Sequence, residues 1–174
     1  MENLKIIFMG TPEFGLPILK ALYEKYKVLG VVCQPDKPSN RNEIKYSKIK
    51  EFALEKNIKV FQPISIQTDY TNILKENPDI IITCAYGQII PNDILNFPRY
   101  GCINVHASLL PKLRGGAPIH RAIINNHSIT GVTIMKMSAK MDAGDIISKR
   151  EVNILETDTA GTLHDKLSII GRDL

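Results

Sequence analysis

Residues 4–22, LKIIFMGTPEFGLPILKAL, carry the pattern from which the fold is read. Leu4–Gly10 is an apolar run closed by a glycine, as expected of a strand buried on both faces. Thr11 as cap and Pro12 at the first helical position predict a helix start. Phe14, Ile18, Leu19 and Leu22 then follow at helical spacing. The alternation continues outward from this unit. Val28–Cys33, Val60 with Phe61, Asp79–Ala85 and Gly101–His106 read as strands. Tyr46–Glu55, a segment around Leu74 closed by Pro78, Pro118–Asn125 and Thr159–Gly171 read as helices. Strands separated by helix-length segments indicate parallel βαβ units. Thr130–Met137 and Asp145–Val152 alternate like strands but are joined only by Ser138–Gly144, too short for a parallel crossover, so an antiparallel edge hairpin is expected. The fold class is therefore α/β, a mostly parallel sheet flanked by helices. Ligands of such sheets bind beyond the carboxyl ends of the strands, which points to the loops Gly10–Glu13, Ala85–Pro91 and His106–Gly116, with Ser138–Gly144 facing the same crevice.

Composition narrows the class. At 174 residues a single domain is expected, with no internal repeat and no linker. Hydrophobic residues at 44% and charged residues at 23% are ordinary globular values and exclude a collagenous or low-complexity chain. No 18-residue apolar run is present, so no membrane span is expected. MENLKIIFMG has no basic start, long apolar stretch or small-residue cleavage site, so it is not read as a secretory signal. Cys33, Cys84 and Cys102 form no CxxC, which argues against zinc or a disulfide framework and for a reducing cytoplasm. There are 22 Lys and Arg against 18 Asp and Glu, a net charge of +4. Lys37, Arg41, Lys45, Lys48 and Lys50 make residues 36–50 locally basic, read either as a phosphate contact or as a solvated loop and helix face.

The loops exclude several chemistries. GTPEFG (Gly10–Gly15) stands where a dinucleotide fingerprint would but is not GxGxxG, and Cys33 and Gln34 replace the acidic residue that would hold a ribose. Ser108 lies in no GxSxG elbow. Cys84 and Cys102 sit in apolar runs, where a thiol packs rather than reacts. His120, His127 and His164 have no metal-like spacing, so no metal is assigned and they read as surface or supporting residues. Asn104 and His106 lie two apart on a strand and point to one face. An amide donor beside an imidazole suits a reaction in which a carbonyl oxygen gains negative charge. The spacing equally suits a core histidine satisfied by the backbone. Asp142, in MDAGDI, is either turn chemistry or, should the hairpin fold over His106, the carboxylate that orients the imidazole.

FMGTPEFGLPIL (Phe8–Leu19), QPDKP (Gln34–Pro38), VFQP (Val60–Pro63), AYGQIIP (Ala85–Pro91), GCINVHASLLPKLRGGAPIHRAI (Gly101–Ile123), TGVTIMKM (Thr130–Met137), MDAGDI (Met141–Ile146) and DTAGTLHDKL (Asp158–Leu167) together resemble the methionyl-tRNA formyltransferase family, in family order along essentially the whole chain. The resemblance implies a Rossmann-like sheet and transfer of a formyl group from 10-formyltetrahydrofolate to the α-amino group of methionyl initiator tRNA. It implies Asn104, His106 and Asp142 as the catalytic set. Tyr86, Gly87, Gln88, Ile89, Ile90 and Pro91, with Ser108, Leu109, Leu110 and Pro111, would lie against the folate. Lys37, Arg41, Lys45 and Arg114 would contact the tRNA. Members of the family often carry a more glycine-rich and basic loop where this chain has Ser39-Asn40-Arg41-Asn42-Glu43. They continue into a C-terminal β-barrel that helps bind tRNA, so residues 1–174 are expected to be the catalytic domain alone, acting as a monomer. Two alternatives stand beside this reading. One is the same chemistry on an amino sugar nucleotide or glycinamide ribonucleotide. The other is a non-catalytic folate-binding module, against which the intact Asn104, His106 and Asp142 set argues.

Overall fold

A computed structural model describes residues 3–38 and 44–174. The opening strand, β1 (Lys5–Gly10), lies inside a seven-stranded sheet, third in its strand order. Its side chains alternate between two cores: Ile6 and Phe8 enter one apolar cluster, Ile7 and Met9 the other. All four are at most 1% exposed, which is why the run shows no polar alternation. The other strands are β2 (Lys27–Val32), β5 (Lys59–Phe61), β6 (Ile80–Cys84), β7 (Cys102–His106), β8 (Ile129–Lys136) and β9 (Ile146–Asn153), in the order β5-β2-β1-β6-β7-β8-β9. A separate two-residue pairing joins β3 (Lys37–Pro38) to β4 (Ile44–Lys45). The pairs from β5 to β7 are parallel, whereas β8 runs antiparallel to both β7 and β9. The expected edge hairpin is present. Strand β9 is exposed along most of its length rather than half-buried, and Lys149, Arg150 and Glu151 blunt it against further pairing.

The helices are α1 (Leu16–Lys25), α2 (Lys48–Glu55), α3 (Thr71–Leu74), α4 (Asn92–Asn96), α5 (Pro118–Ile124) and α6 (Ala160–Asp173). Helix α1 begins at Leu16, four residues later than its sequence signal indicates. Thr11 does not cap it, because its Oγ1 accepts the Gln34 N–H at 3.0 Å and ties the end of β1 to the end of β2. Pro12 instead precedes a single 3-10 turn, Glu13–Gly15, and Pro17 occupies the first turn of α1, where a missing N–H costs nothing. Helix α6 is capped reciprocally: Thr159 Oγ1 accepts the Thr162 N–H and Thr162 Oγ1 accepts the Thr159 N–H. Its Leu163 and Leu167 are fully buried, and Ser168 Oγ donates to Phe14 O at 2.8 Å, anchoring the turn after β1. Among the described residues no helix is long and apolar enough to cross a membrane. The carboxyl ends of β1, β6 and β7 open together at one edge of the sheet.

Candidate active site

A cleft of about 590 Å³ lies at that edge. Its walls come from the four expected segments: the turn after β1, the loop after β6, the loop after β7, and the β8–β9 connection. Asn104, His106 and Asp142 all line it, as do Tyr86, Gly87, Gln88, Ile89 and Ile90.

Asn104 and His106 occupy alternate positions of β7, paired with Met135 and Thr133 of β8. Thr83 on β6 fixes the amide: its Oγ1 donates to Asn104 Oδ1 at 2.8 Å. With the carbonyl end held, the Nδ2 hydrogens remain as donors on a cleft-lining side chain. His106 is 7% exposed. Its Nε2 lies 3.2 Å from Leu113 O. A carbonyl only accepts, so Nε2 carries the proton and, in the neutral ring, Nδ1 holds the free lone pair. Nδ1 faces Asp142 Oδ2 at 3.8 Å, ion-pair distance but beyond a hydrogen bond. The same Oδ2 accepts the Gly115 N–H at 2.7 Å. Asp142 thus stands over the imidazole without taking a proton from it. The ring hydrogen bond thus goes to the Leu113 carbonyl, and the expected Asp142 contact is at ion-pair distance from Nδ1.

The backbone around this group is strained. Seven described non-glycine residues have φ between +48° and +56°. Asn57, Asn77 and Asn126 follow helices α2, α3 and α5, where asparagine commonly ends a helix in this conformation. The other four, Ala85, Leu113, Ala117 and Asp142, all lie in the cleft wall or directly behind it. Such residues persist only where their surroundings over-determine them, and they cluster at functional sites. The β8–β9 connection that carries Asp142 is held by close backbone approach. A Cβ on Gly144 would sit 1.7 Å from Lys136 O, so only glycine fits there.

The loop after β6 is held by side-chain amides. Gln34 Nε2 donates to Tyr86 O, and Gln88 Nε2 donates to Gln34 Oε1 at 3.1 Å and Ile64 O at 3.2 Å. Gln88 Oε1 accepts the Ile66 N–H, and Gln67 Nε2 donates to Ile89 O. Ile90 is buried and Ile89 is 67% exposed, so one isoleucine packs while its neighbour is offered at the mouth. Burial pushes the Tyr86 hydroxyl up to about 12, leaving it neutral at physiological pH.

The remaining predicted residues lie elsewhere. Pro91, Ser108, Leu109, Leu110 and Pro111 are not in the cleft wall. Ser108 Oγ donates to Lys112 O, Thr133 Oγ1 donates to Ser108 O, and the Leu110 N–H donates to Thr133 Oγ1. The SLLP segment is thus a buttress behind His106. Its polar groups satisfy one another, and Leu110 packs as core. Lys37, Lys45 and Arg114 are exposed, whereas Arg41 lies outside the described residues. Part of the basic stretch is already neutralised. Lys48 pairs with Glu51 at 2.8 Å, and Lys50 is bound by Asp36 and by Gln62 Oε1. Desolvation raises the Asp36 carboxyl, but hydrogen bonds from Lys50 and Gln62 outweigh it and hold the group below the usual carboxylate range. All three thiols are buried, and burial pushes Cys102 up to about 12 and Cys84 higher still, so both pack as the sequence indicates. Among the described residues no cluster of His, Cys, Asp or Glu is arranged to hold a metal.

Sequence reasoning gave Thr83 and Arg121 no role. Arg121 Nη2 donates to Leu113 O at 3.0 Å and Arg114 O at 2.6 Å, gripping the loop that holds His106. Neither has a local signal: Thr83 acts 21 residues away on Asn104, and Arg121 reaches back across a turn to carbonyls seven and eight residues before it. His120 and His164 also border the cleft, His164 edge-on to Phe14 with ring centroids 5.4 Å apart.

Residues 4–172 match the family model described as formyl transferase. The chain is 53% identical over 174 residues to a methionyl-tRNA formyltransferase of Bacillus subtilis (strain 168) and 54% identical over 176 residues to one of Malacoplasma penetrans. It is covered to 98% and 99% in these matches and spans 55% of each relative, about half their length. Among solved structures, a phosphoribosylglycinamide formyltransferase from Bacillus halodurans superposes with a TM-score of 0.81 at 24% identity, covering 98% of this chain and 90% of that one. A formyltetrahydrofolate deformylase from Pseudomonas syringae pv. tomato superposes with a TM-score of 0.79 at 18% identity, covering 99% of this chain and 59% of that one. These structural likenesses establish the Rossmann-like formyltransferase fold. With the cleft at the carboxyl edge of that fold and the family match along nearly its whole length, the chain belongs to the formyl transferase family.

Proposed function

We propose that this chain carries the catalytic site of a methionyl-tRNA formyltransferase, moving the formyl group of 10-formyltetrahydrofolate to the α-amino group of methionyl initiator tRNA. The chemistry rests on one observation: Asp142, distant in sequence from Asn104 and His106, meets them in one cleft, with Nδ1 of His106 3.8 Å from Asp142 Oδ2. The choice of amine rests on the relatives that carry that name at 53–54% identity.

The cleft suits a reduced folate. Its volume of about 590 Å³ falls within the range of small-molecule sites. Ile90, Leu95 and Met137 give it apolar walls, while residues 86–90 bring backbone groups to its rim, as a flat ring with amide-like edges requires. The formyl donor supplies the electrophilic carbon, which the amine attacks to form a tetrahedral adduct that collapses with release of the folate N10.

The side chains act around that carbon. A free α-amine has a pKa of about 7.7–8.0, and only its neutral form attacks. Nδ1 of His106, the unprotonated nitrogen, accepts the amine proton directly or through one water. The Nδ2 hydrogens of Asn104 donate to the oxygen as it gains charge. Asp142 stabilises the imidazolium. Nδ1–H then returns the proton to the departing nitrogen, so His106 ends neutral and the balance closes.

Parallel assays with charged initiator tRNA, glycinamide ribonucleotide and an amino sugar nucleotide test the substrate. Transfer only to the tRNA is expected. Transfer to either small amine instead overturns this choice, and binding of a reduced folate with no transfer to any amine favours a binding module.

A further inference from the structure

The imidazole of His106 has two competing acceptors. Leu113 O lies 3.2 Å from Nε2, and the Asp142 carboxylate lies 3.8 Å from Nδ1. A carboxylate is the stronger acceptor, and with freedom to close in it would draw the ring proton to Nδ1. That would place the proton on the nitrogen that must be empty to act as a base. Two features of residues 113–115 prevent this. Gly115 N–H donates to Asp142 Oδ2 at 2.7 Å, holding the carboxylate off the ring. Leu113 presents its carbonyl from a left-handed conformation, φ +56°, that leucine rarely adopts. Something must keep this segment in place, and among the described residues the cation that grips it is Arg121. Its Nη2 reaches both Leu113 O and Arg114 O, and its Nε is buried without a partner. Burying that donor unpaired has a cost, which the placement of the loop offsets.

We propose that Arg121 is a positioning residue. By pinning Leu113 O and Arg114 O, it makes residues 113–115 select the Nε2–H tautomer of His106 and leave Nδ1 free toward the cleft. The proposal rests on the reading of His106 as the base, but its test needs no substrate, so the two fail separately.

The test is the long-range proton–nitrogen correlation spectrum of the 174-residue chain carrying nitrogen-15 histidine, at a pH where its four histidines are neutral. His106→Gln assigns the signals. In the wild type, His106 should show the Nε2–H pattern. Arg121→Gln should move the tautomer ratio about tenfold toward Nδ1–H, the worth of about one charge-assisted hydrogen bond. Arg121→Lys offers an ammonium in place of the planar fork and should fall between them. A merely structural arginine would lower the melting temperature and leave the ratio unmoved. A wild-type His106 in the Nδ1–H form overturns the proposal without any variant. So does an unchanged ratio in Arg121→Gln or, where that protein does not fold, in Arg121→Lys.

Discussion

The two sides of the cleft are held by different means. On one side, Asn104 and His106 sit in a strand paired on both sides, fixed by Thr83 and by the Leu113 carbonyl that Arg121 grips. On the other, residues 86–91 form a loop latched by three neutral amides, Gln34, Gln67 and Gln88. The first side is a ladder with a charged clamp, where a small displacement misaligns a donor. The second depends on neutral hydrogen bonds worth about 0.5–1.5 kcal/mol each, two of them exposed. The contrast suits the proposed division of labour. In that proposal the strand and clamp hold the groups that handle a proton and an oxyanion, and the amide-latched loop meets the flat ligand.

Substitutions on the two sides should therefore separate rate from binding. Asn104→Ala should have the largest effect, a loss of about 100- to 1000-fold in formyl transfer with folate affinity retained. Rapid-quench turnover beside a folate titration measures both, and near wild-type transfer would remove Asn104 from the oxyanion role. Thr83→Val keeps the shape and deletes the hydroxyl that turns the Asn104 amide. It should cost about tenfold in turnover, the value of roughly one hydrogen bond, with little change in folate affinity. Gln88→Ala should do the reverse. Releasing Gln34, Ile64 and Ile66 should weaken folate binding by about three- to tenfold and leave single-turnover chemistry near wild type. A larger effect on turnover than on binding would erase the distinction between the walls.

The smallest effect concerns pH. Asp36 accepts from Lys50 and Gln62, and Gln62 Nε2 also donates to Gln34 O, so this network supports the amide-latched side. The folded-state pKa of Asp36 is depressed. Its stabilising contribution is complete above the unfolded value of about 3.9 and is lost as pH falls through the lower folded value. Asp36→Asn should flatten that acid limb of a urea-unfolding series, with stability near neutral pH lowered slightly. An identical acid limb in both proteins would show that the network contributes nothing.

The central sheet was legible in the sequence because β1 and β6 are buried on both faces and so carry unbroken apolar runs. Helix boundaries were less so. The start of α1 was displaced because a hydroxyl suited to capping, that of Thr11, bonds to Gln34 instead. Helix α4 has only five residues between Pro91 and Pro98, too few to show a period. The two-residue spacing of Asn104 and His106 was visible, but the choice between catalytic and core histidine depended on what Nδ1 faces, a contact 36 residues away along the chain at Asp142. Leu109 and Leu110 could not be told from cleft wall by their chemistry, since an apolar side chain packs equally well behind a site as in it. Arg121 reads as an ordinary helical cation until its guanidinium is seen on Leu113 O.

The most direct test is a crystal structure of the chain with a non-reactive formylated reduced folate. The account predicts the pterin against residues 86–90 and the formyl oxygen within hydrogen-bond reach of Asn104 Nδ2, with Nδ1 of His106 and Asp142 facing the same carbon. A folate bound in the cleft with its formyl group turned away from Asn104 and His106, or bound elsewhere, would contradict it.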